Sequence, residues 1–519
     1  MSPSSRLAEI AAVSLLGALV AFCALRPIWD IDIFWHVAVG RWILEHLALP
    51  DRDLWSAADP DAPWQSFQWL YQALVAALDQ RTGLRGVRVA HAVWVVATFG
   101  LAWRLLRRRG LSVVATAALV LLLLVVWHDR MRVRPHIINL TAWLLIAHLV
   151  DRPTFSLRAA PLVAVAFLLW SALHLGGAFI AVVVLAGLSV ATLALARWRG
   201  PSPVDLRVHA LALAALVGWV LCPGAAGSLE YAAGQHGGSV SSIPEWQSWL
   251  AVLSRYSDYA HPNMAITLAA LPVAAALFAI AAARWLRSLR AGDDDPRVTR
   301  PLGLLLAVPL LVMATLWIRF TWMAWPAGLL AASWLWRDGL PGAPRRWRLA
   351  AAGVAVALLA VTIHYATLAQ YPSVSASLHA RADDVDSRHF PVEVTALLAS
   401  SGVEGRVATP AAWGGYILYH AWPALRVTVD GRMVAPPRVL QITEAIAGAW
   451  SSPGGADALP PLYAALPADF LVMPHPAFRG RDTGEWAPVA SSPVADLYAR
   501  QGPQLANWAS RLLSAHEGR

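Results

Sequence analysis

Residues 111–127 read LSVVATAALVLLLLVVW, without a single charge, and ten further segments of similar apolar character follow or precede them. A helix needs roughly 20 such residues to cross the hydrocarbon core of a bilayer, and lipid leaves no partner for backbone polar groups outside a helix or closed barrel. The segments lie at about 7–26, 87–105, 111–127, 137–150, 159–174, 177–196, 208–222, 263–283, 301–318, 321–336 and 349–366. Of the 519 residues, 58% are hydrophobic and 14% charged, whereas soluble domains carry about a quarter charged. The expected fold class is a polytopic α-helical membrane protein with about 11 transmembrane helices.

Arginine placement sets the expected orientation. Every one of the 41 basic side chains is arginine, which fits a GC-rich bacterial genome, and the net charge of +9 follows topology, with no nucleic-acid partner implied. Arg6, Arg104 with Arg107 to Arg109, Arg152 and Arg158, Arg197 to Arg207, Arg284 to Arg300, and Arg337 to Arg348 share one side if the spans alternate. The positive-inside rule makes that side cytoplasmic, with the N-terminus inside and the tail from about 367 outside. The first apolar segment reads as an uncleaved helix. Cys23 and Cys222 lie in or beside apolar segments, so neither a disulfide framework nor a Cys/His metal cluster is indicated.

Two outer regions are long. The first, 27–86, is expected to hold two interfacial helices, at 33–48 and 65–80, with Asp32 as N-cap of the first. The second, 223–262, is rich in Gly and Ser. The tail alternates helix and strand signals: a helix at 391–401, strands at 406–409, 425–429 and 470–473, and a helix at 438–449. Trp413-Gly414-Gly415-Tyr416 and Asp430-Gly431-Arg432 read there as tight turns with exposed polar side chains. No nucleophile elbow, phosphate-binding glycine loop or zinc motif is present in the tail.

Candidate chemistry begins at Trp29-Asp30-Ile31-Asp32-Ile33-Phe34-Trp35-His36, where the first apolar segment ends. Charge at a membrane surface is costly unless solvated, paired or used. Asp32 and His36, four apart, share a helix face. A carboxylate here either accepts a proton from an acceptor hydroxyl, holds a divalent cation, or simply caps the helix. Asp51 and Asp53 are either supporting acids or turn residues. Arg130, Arg132, Arg134 and His136 lie on the outer side, against the positive-inside bias, as does Arg319. Such cations either bind an anionic partner such as a lipid phosphate or snorkel toward headgroups. Glu245, beside Trp246 in the second outer loop, is a second acid or a solvated one, and His174 lines a cavity or packs.

The pattern Asp30-x-Asp32-x-x-Trp35-His36, with Pro50-x-x-Asp53, Trp69-Leu70, Glu245-Trp246, Trp413 to Tyr416 and Asp430 to Arg432, resembles the GT-C superfamily of integral-membrane glycosyltransferases. It is nearest to an uncharacterised bacterial branch of the protein O-mannosyltransferase and aminoarabinose transferase group. An acid is expected where Gln68 stands. The resemblance implies a GT-C-like transmembrane domain over 1–366 and an extracytoplasmic α/β domain over 367–519, in a bacterial inner membrane. It implies a polyprenyl-phosphate-sugar donor and a glycan, lipid or protein acceptor, with inversion at the anomeric carbon. Asp32 is then the first choice as base, and Asp30 the second choice or a cation ligand. Arg134 and Arg319 would bind the donor's phosphate, with His36 and Glu245 as further substrate contacts. A divalent cation, Mg2+ or Mn2+, assists some members, and Asp30 and Asp32 would hold it. The alternative is a non-catalytic GT-C-like protein or a transport or assembly factor for lipid-linked glycans.

Overall fold

The computed structural model describes residues 3–60, 62–150, 156–201, 203–235, 247–255, 262–292, 301–325, 382–432, 465–476 and 484–512 (505 and 509 excepted), with scattered positions between 326 and 464. Two compact units divide the chain: Met1–Arg26 with Val89–Arg381, and Pro27–Arg88 with Ala382–Arg519.

The first unit is helical. Its described elements are α1 (Pro3–Ala24), the later part of α3 (Trp69–Arg108), α4 (Val113–Trp127), α5 (Ile137–Val150), α6 (Ala160–Arg199), α7 (Pro203–Val220), α8 (Ala225–Gln235), α9 (Trp249–Ser254), α10 (Pro262–Arg290) and α11 (Leu302–Leu316). Four described helices are long and apolar enough to cross a membrane: Trp69–Arg108, Val113–Arg130, Leu157–Trp198 and Met264–Arg290. Shorter apolar helices cover Glu9–Ala24, Ile137–Val150 and Leu302–Leu316. The segments expected at 159–174 and 177–196 form one run, α6, broken at His174, where φ is −158° and ψ 83°. Its Nδ1 accepts the Gly177 N–H at 2.9 Å, which satisfies a donor freed by the break. The segments expected at 321–336 and 349–366 lie mostly outside the described residues, as does most of the helix expected at 438–449.

Small residues let these helices approach closely, as packing in lipid requires. A Cβ on Gly218 of α7 would lie 2.1 Å from the Ala164 carbonyl oxygen of α6. Polar side chains within the helices find one another. Thr98 and Thr141 hydroxyls lie 2.8 Å apart, and the Trp170 indole donates to Asn139 Oδ1 at 2.9 Å.

The second unit joins the first outer loop to the tail. Its sheet runs β2 (Leu425–Val427), β1 (Gly405–Ala408), β3 (Phe470–Pro474), β5 (Ala495–Arg500), β4 (Trp486–Ser491). β1 is parallel to β2 and β3, while β5 is antiparallel to β3 and β4. α12 (Val392–Ser400) precedes β1, and α13 (Ala411–Ala421) carries the chain from β1 to β2. The outer loop adds its own backbone to this sheet. Ala57 N–H donates to Val427 O at 2.7 Å and Val427 N–H to Trp55 O at 3.2 Å, so Ser56 pairs parallel to Val427. Ile28 likewise pairs with Val385. Ala58 packs on the core formed by Ala408, Leu471, Met473, Trp486 and Tyr498.

Two sequence expectations change here. α2 (Asp32–His46) is buried from Ile33 to Gly40 and again at Ile43, so it is a packed helix and not an interfacial one. The second expected helix begins at Trp69 and continues as α3 to Arg108, with Gly83 at φ +66° interrupting it. α2 lies against α3 at Gly40, where a Cβ would meet the Gln72 carbonyl oxygen at 2.0 Å. Arg41 reinforces the contact. It reaches Asp79 Oδ2 and the Tyr419 carbonyl oxygen, both at 2.8 Å, and the Tyr419 hydroxyl donates to Asp79 at 3.0 Å.

The Trp-Gly-Gly-Tyr motif is not a turn. It lies inside α13 and is buried throughout. Its glycines serve two close approaches: a Cβ on Gly414 would fall 2.2 Å from the Val429 carbonyl oxygen, and one on Gly415 would lie 3.1 Å from the Ile31 oxygen. Tyr416 stacks on Phe390 at 5.1 Å, and Phe34 meets each of these rings edge-on at 4.9 Å. Helix propensity favours alanine over glycine, so packing selects glycine at this point. Gly414→Ala is expected to lower the unfolding midpoint by an amount equivalent to roughly 1–3 kcal/mol or more. Gly17→Ala, where nothing lies within 4 Å, should leave it unchanged or slightly raised in the same thermal assay.

Candidate active site

Asp30 and Asp32 part company at the start of α2. The N-cap residue is Ile31, which makes no side-chain cap, and the helix begins at Asp32 itself. Asp30, 2% exposed, receives the Asp32 N–H on Oδ1 at 2.9 Å. Asp30 therefore closes the turn into α2, which corrects the expectation that Asp32 is the cap. Asp32 sits in the first helical turn, where a carboxylate is favoured by the helix dipole, and is half-buried.

The neighbour of Asp32 is the tail's Asp-Gly-Arg turn. A Cβ built on Gly431 would lie 2.4 Å from Asp32 Oδ1 and 3.3 Å from the Trp35 indole nitrogen. This turn repeats the device at α2: Asp430 Oδ1 accepts the Arg432 N–H at 2.8 Å. The Arg432 guanidinium then forks onto Asp430 at 2.6 and 3.0 Å and gives its remaining arm to Asp53 Oδ1 at 2.9 Å. Side-chain exposures of 4% for Arg432, 2% for Asp430 and 0% for Asp53 make this a buried two-to-one ion cluster. The expectation of exposed polar side chains at this turn is thereby overturned.

Trp55 and Trp64 place their rings 5.4 and 5.1 Å from the guanidinium. Asp53 Oδ1 also accepts the Trp55 and Ser56 N–H groups at 3.1 Å, so the acid fixes the loop that joins β2. Burial pushes the Asp53 carboxyl above its ordinary range, and Arg432 only partly reverses this. Burial opposes the charge on Arg432, yet Asp430 and Asp53 together hold its proton more firmly than usual. Asp51, by contrast, is exposed and lies 3.4 Å from Arg52.

His36 is 2% exposed. Its ring lies 3.7 Å from that of Trp35 and edge-on to Tyr71, and Nδ1 is 3.4 Å from the Gln72 amide. Gln72 is in turn held by the Ser66 hydroxyl.

In the helical unit, the arginines expected on the outer side lie near Asp129 and His136. Arg132 pairs with Asp129 at 2.7 Å, and the charges of Arg130 and Arg26 also act on that acid. Arg26 donates to the His128 carbonyl at 2.8 Å. Arg134 and Arg319 converge elsewhere: both act on His136, and Arg319 also acts on His174. The two histidine rings are 5.1 Å apart. Arg130, Arg134 and Arg319, the last far from the others in sequence, all bear on His136, and Arg319 on His174 as well. Glu245 lies outside the described residues.

The donor set for a divalent cation is thin. Among the described residues, no group of three or more His, Cys, Asp or Glu side chains is disposed to hold a metal ion. Asp30 Oδ1 is engaged by a backbone N–H, and Asp53 faces Arg432.

No family model matches the sequence, and no curated protein does. Solved structures do match the fold. Archaeoglobus fulgidus oligosaccharyltransferase in the apo form is 11% identical with a TM-score of 0.51, over 90% of this chain and 69% of that one. The same enzyme tethered by a disulfide bond to an acceptor peptide containing the NVT sequon is 12% identical with a TM-score of 0.50, over 95% and 74%. ArnT from Cupriavidus metallidurans bound to undecaprenyl phosphate is 14% identical, over 97% and 99%, with a TM-score of 0.49. The chain shares its fold with the archaeal oligosaccharyltransferase.

The sequence signal for the ion cluster was half visible. Asp430-x-Arg432 is local, but Asp53 stands 379 positions away from Arg432. Removing the cation strands two buried carboxylates. Arg432→Met should therefore cost roughly 3–5 kcal/mol at neutral pH. Burial raises the pKa of Asp53 in the folded state, so part of that loss should return as pH falls through its raised folded value. Adding Asp53→Asn should also return part of it, read as thermal midpoints across pH in detergent or nanodiscs.

Proposed function

We propose that the protein is an integral-membrane glycosyltransferase that moves a sugar from a polyprenyl-phosphate carrier to an acceptor outside the cytoplasm, with inversion. The observation that carries this reading is the division of labour among the carboxylates. Asp30 closes a turn, Asp53 and Asp430 bind Arg432, and Asp32 stands in the first turn of α2 with its Oδ1 against Gly431. The shared GT-C fold supports it. The oligosaccharyltransferase of like fold was solved tethered with an acceptor peptide, which supports an acceptor-binding role for this chain.

Asp32 accepts the proton of the acceptor hydroxyl as its oxygen forms a bond to the anomeric carbon. The bond from that carbon to the phosphate oxygen breaks, and the electron pair leaves with the polyprenyl phosphate. Arg134 and Arg319 take the donor's phosphate, since guanidinium forks match phosphate oxygens. That the charges of both reach His136 supports that assignment. The enzyme belongs to a bacterial inner membrane, with its N-terminus cytoplasmic and the tail outside. The non-catalytic and transport alternatives gain no specific observation.

Asp32→Asn is expected to abolish transfer of sugar from a synthetic polyprenyl-phosphate donor while leaving expression and thermal midpoint unchanged. Full transfer by that variant would remove Asp32 from the role of base.

A further inference from the structure

Asp32 is a side chain with several rotamers in a half-exposed position, and a general base must be held within hydrogen-bond reach of one proton. The backbone of Gly431 limits it. Asp32 Oδ1 is buried and sits where any side chain at 431 would start, 2.4 Å from the Cβ position. The Trp35 indole, 3.3 Å from the same point, forms the other side of the slot. Gly431 cannot drift. On one side Asp430 Oδ1 holds the Arg432 N–H, and on the other the Arg432 guanidinium is clamped between Asp430 and Asp53. From behind, Gly414 of α13 brings its helix against Val429 and Asp430.

We infer that Gly431 is a positioning residue for Asp32: the tail's Asp-Gly-Arg turn forms a backbone wall that fixes Oδ1 and presents Oδ2 to the acceptor. The Asp53–Arg432–Asp430 cluster keeps that wall in register. The inference rests on the proposed role of Asp32, but its geometry can be tested without turnover. It also gives the tail a share in the reaction centre: a chain cut after the last span would keep Asp32 and lose the wall that orients it.

The test is carbodiimide coupling of glycine ethyl ester to the full-length protein, with Asp32 and the exposed Asp51 followed by peptide mass spectrometry across pH. In Gly431→Ala the new methyl expels Oδ1 from its slot. Asp32 should then label several-fold faster, with its pH midpoint shifted, while Asp51 labels as in the wild type. A merely structural lesion would lower the thermal midpoint without moving the Asp32 profile selectively. If Gly431→Ala does not fold, Asp32→Ala with Gly431→Ala should, because removing the carboxylate makes room for the methyl. An unchanged Asp32 profile in folded Gly431→Ala overturns the inference, as does failure of the double variant to restore folding. Neither result depends on transfer. Should Asp32→Asn prove active, the assignment of Asp32 as base falls while the labelling result stands separately.

Discussion

One buried arginine governs the geometry of the outer unit. Arg432 sits between Asp430, its neighbour in a turn, and Asp53, from a loop near the other end of the chain. A lone guanidinium could not be buried at this depth, and neither could either acid. Each charge is tolerated only because the others are present, so the loop and the tail must come together to bury any of them. Such a cluster need not add net stability over a well-packed apolar core. It specifies which loop meets which turn, and the flanking indoles of Trp55 and Trp64 exclude water from the meeting point.

From that meeting the rest follows in order. Asp53 orients Trp55 and Ser56, whose backbone then extends the sheet beside β2. The turn after β2 brings Gly431 against Asp32, and α13 wedges its two glycines between that turn and the entry to α2. Four acids that look alike in sequence emerge with different occupations. Three hold backbone or guanidinium hydrogen bonds that set the structure. Asp32 is set by the close approach of Gly431.

Much of the architecture was legible beforehand. Apolar runs near α4, α5, α7, α10 and α11 mark those helices, and the strands at 406–409 and 470–473 fall close to β1 and β3. The motif islands were visible as well, but their conformations were not. Trp413 to Tyr416 looked like a turn because two adjacent glycines disfavour helix locally. Its helix is imposed by tertiary contacts at Val429 and Ile31 that no local pattern records. α2 read as interfacial because its mixed composition was judged against water and lipid, whereas its neighbours are α3 and α13. Asp32 read as a cap because only the turn geometry reveals that Asp30 performs that task. Arg134 and Arg319 were noted for lying against the topological charge bias, and their shared approach to His136 needed the helices in place.

The account stands on the first outer loop and the tail being one cooperative body. Amide hydrogen exchange on the intact protein reads this most directly, at the paired N–H groups of Ala57 and Val427. If the two segments form one unit, both amides should be strongly protected and open with the same free energy. An Ala57 amide that exchanges at the rate of an unstructured loop, while Val427 stays protected, would contradict the account.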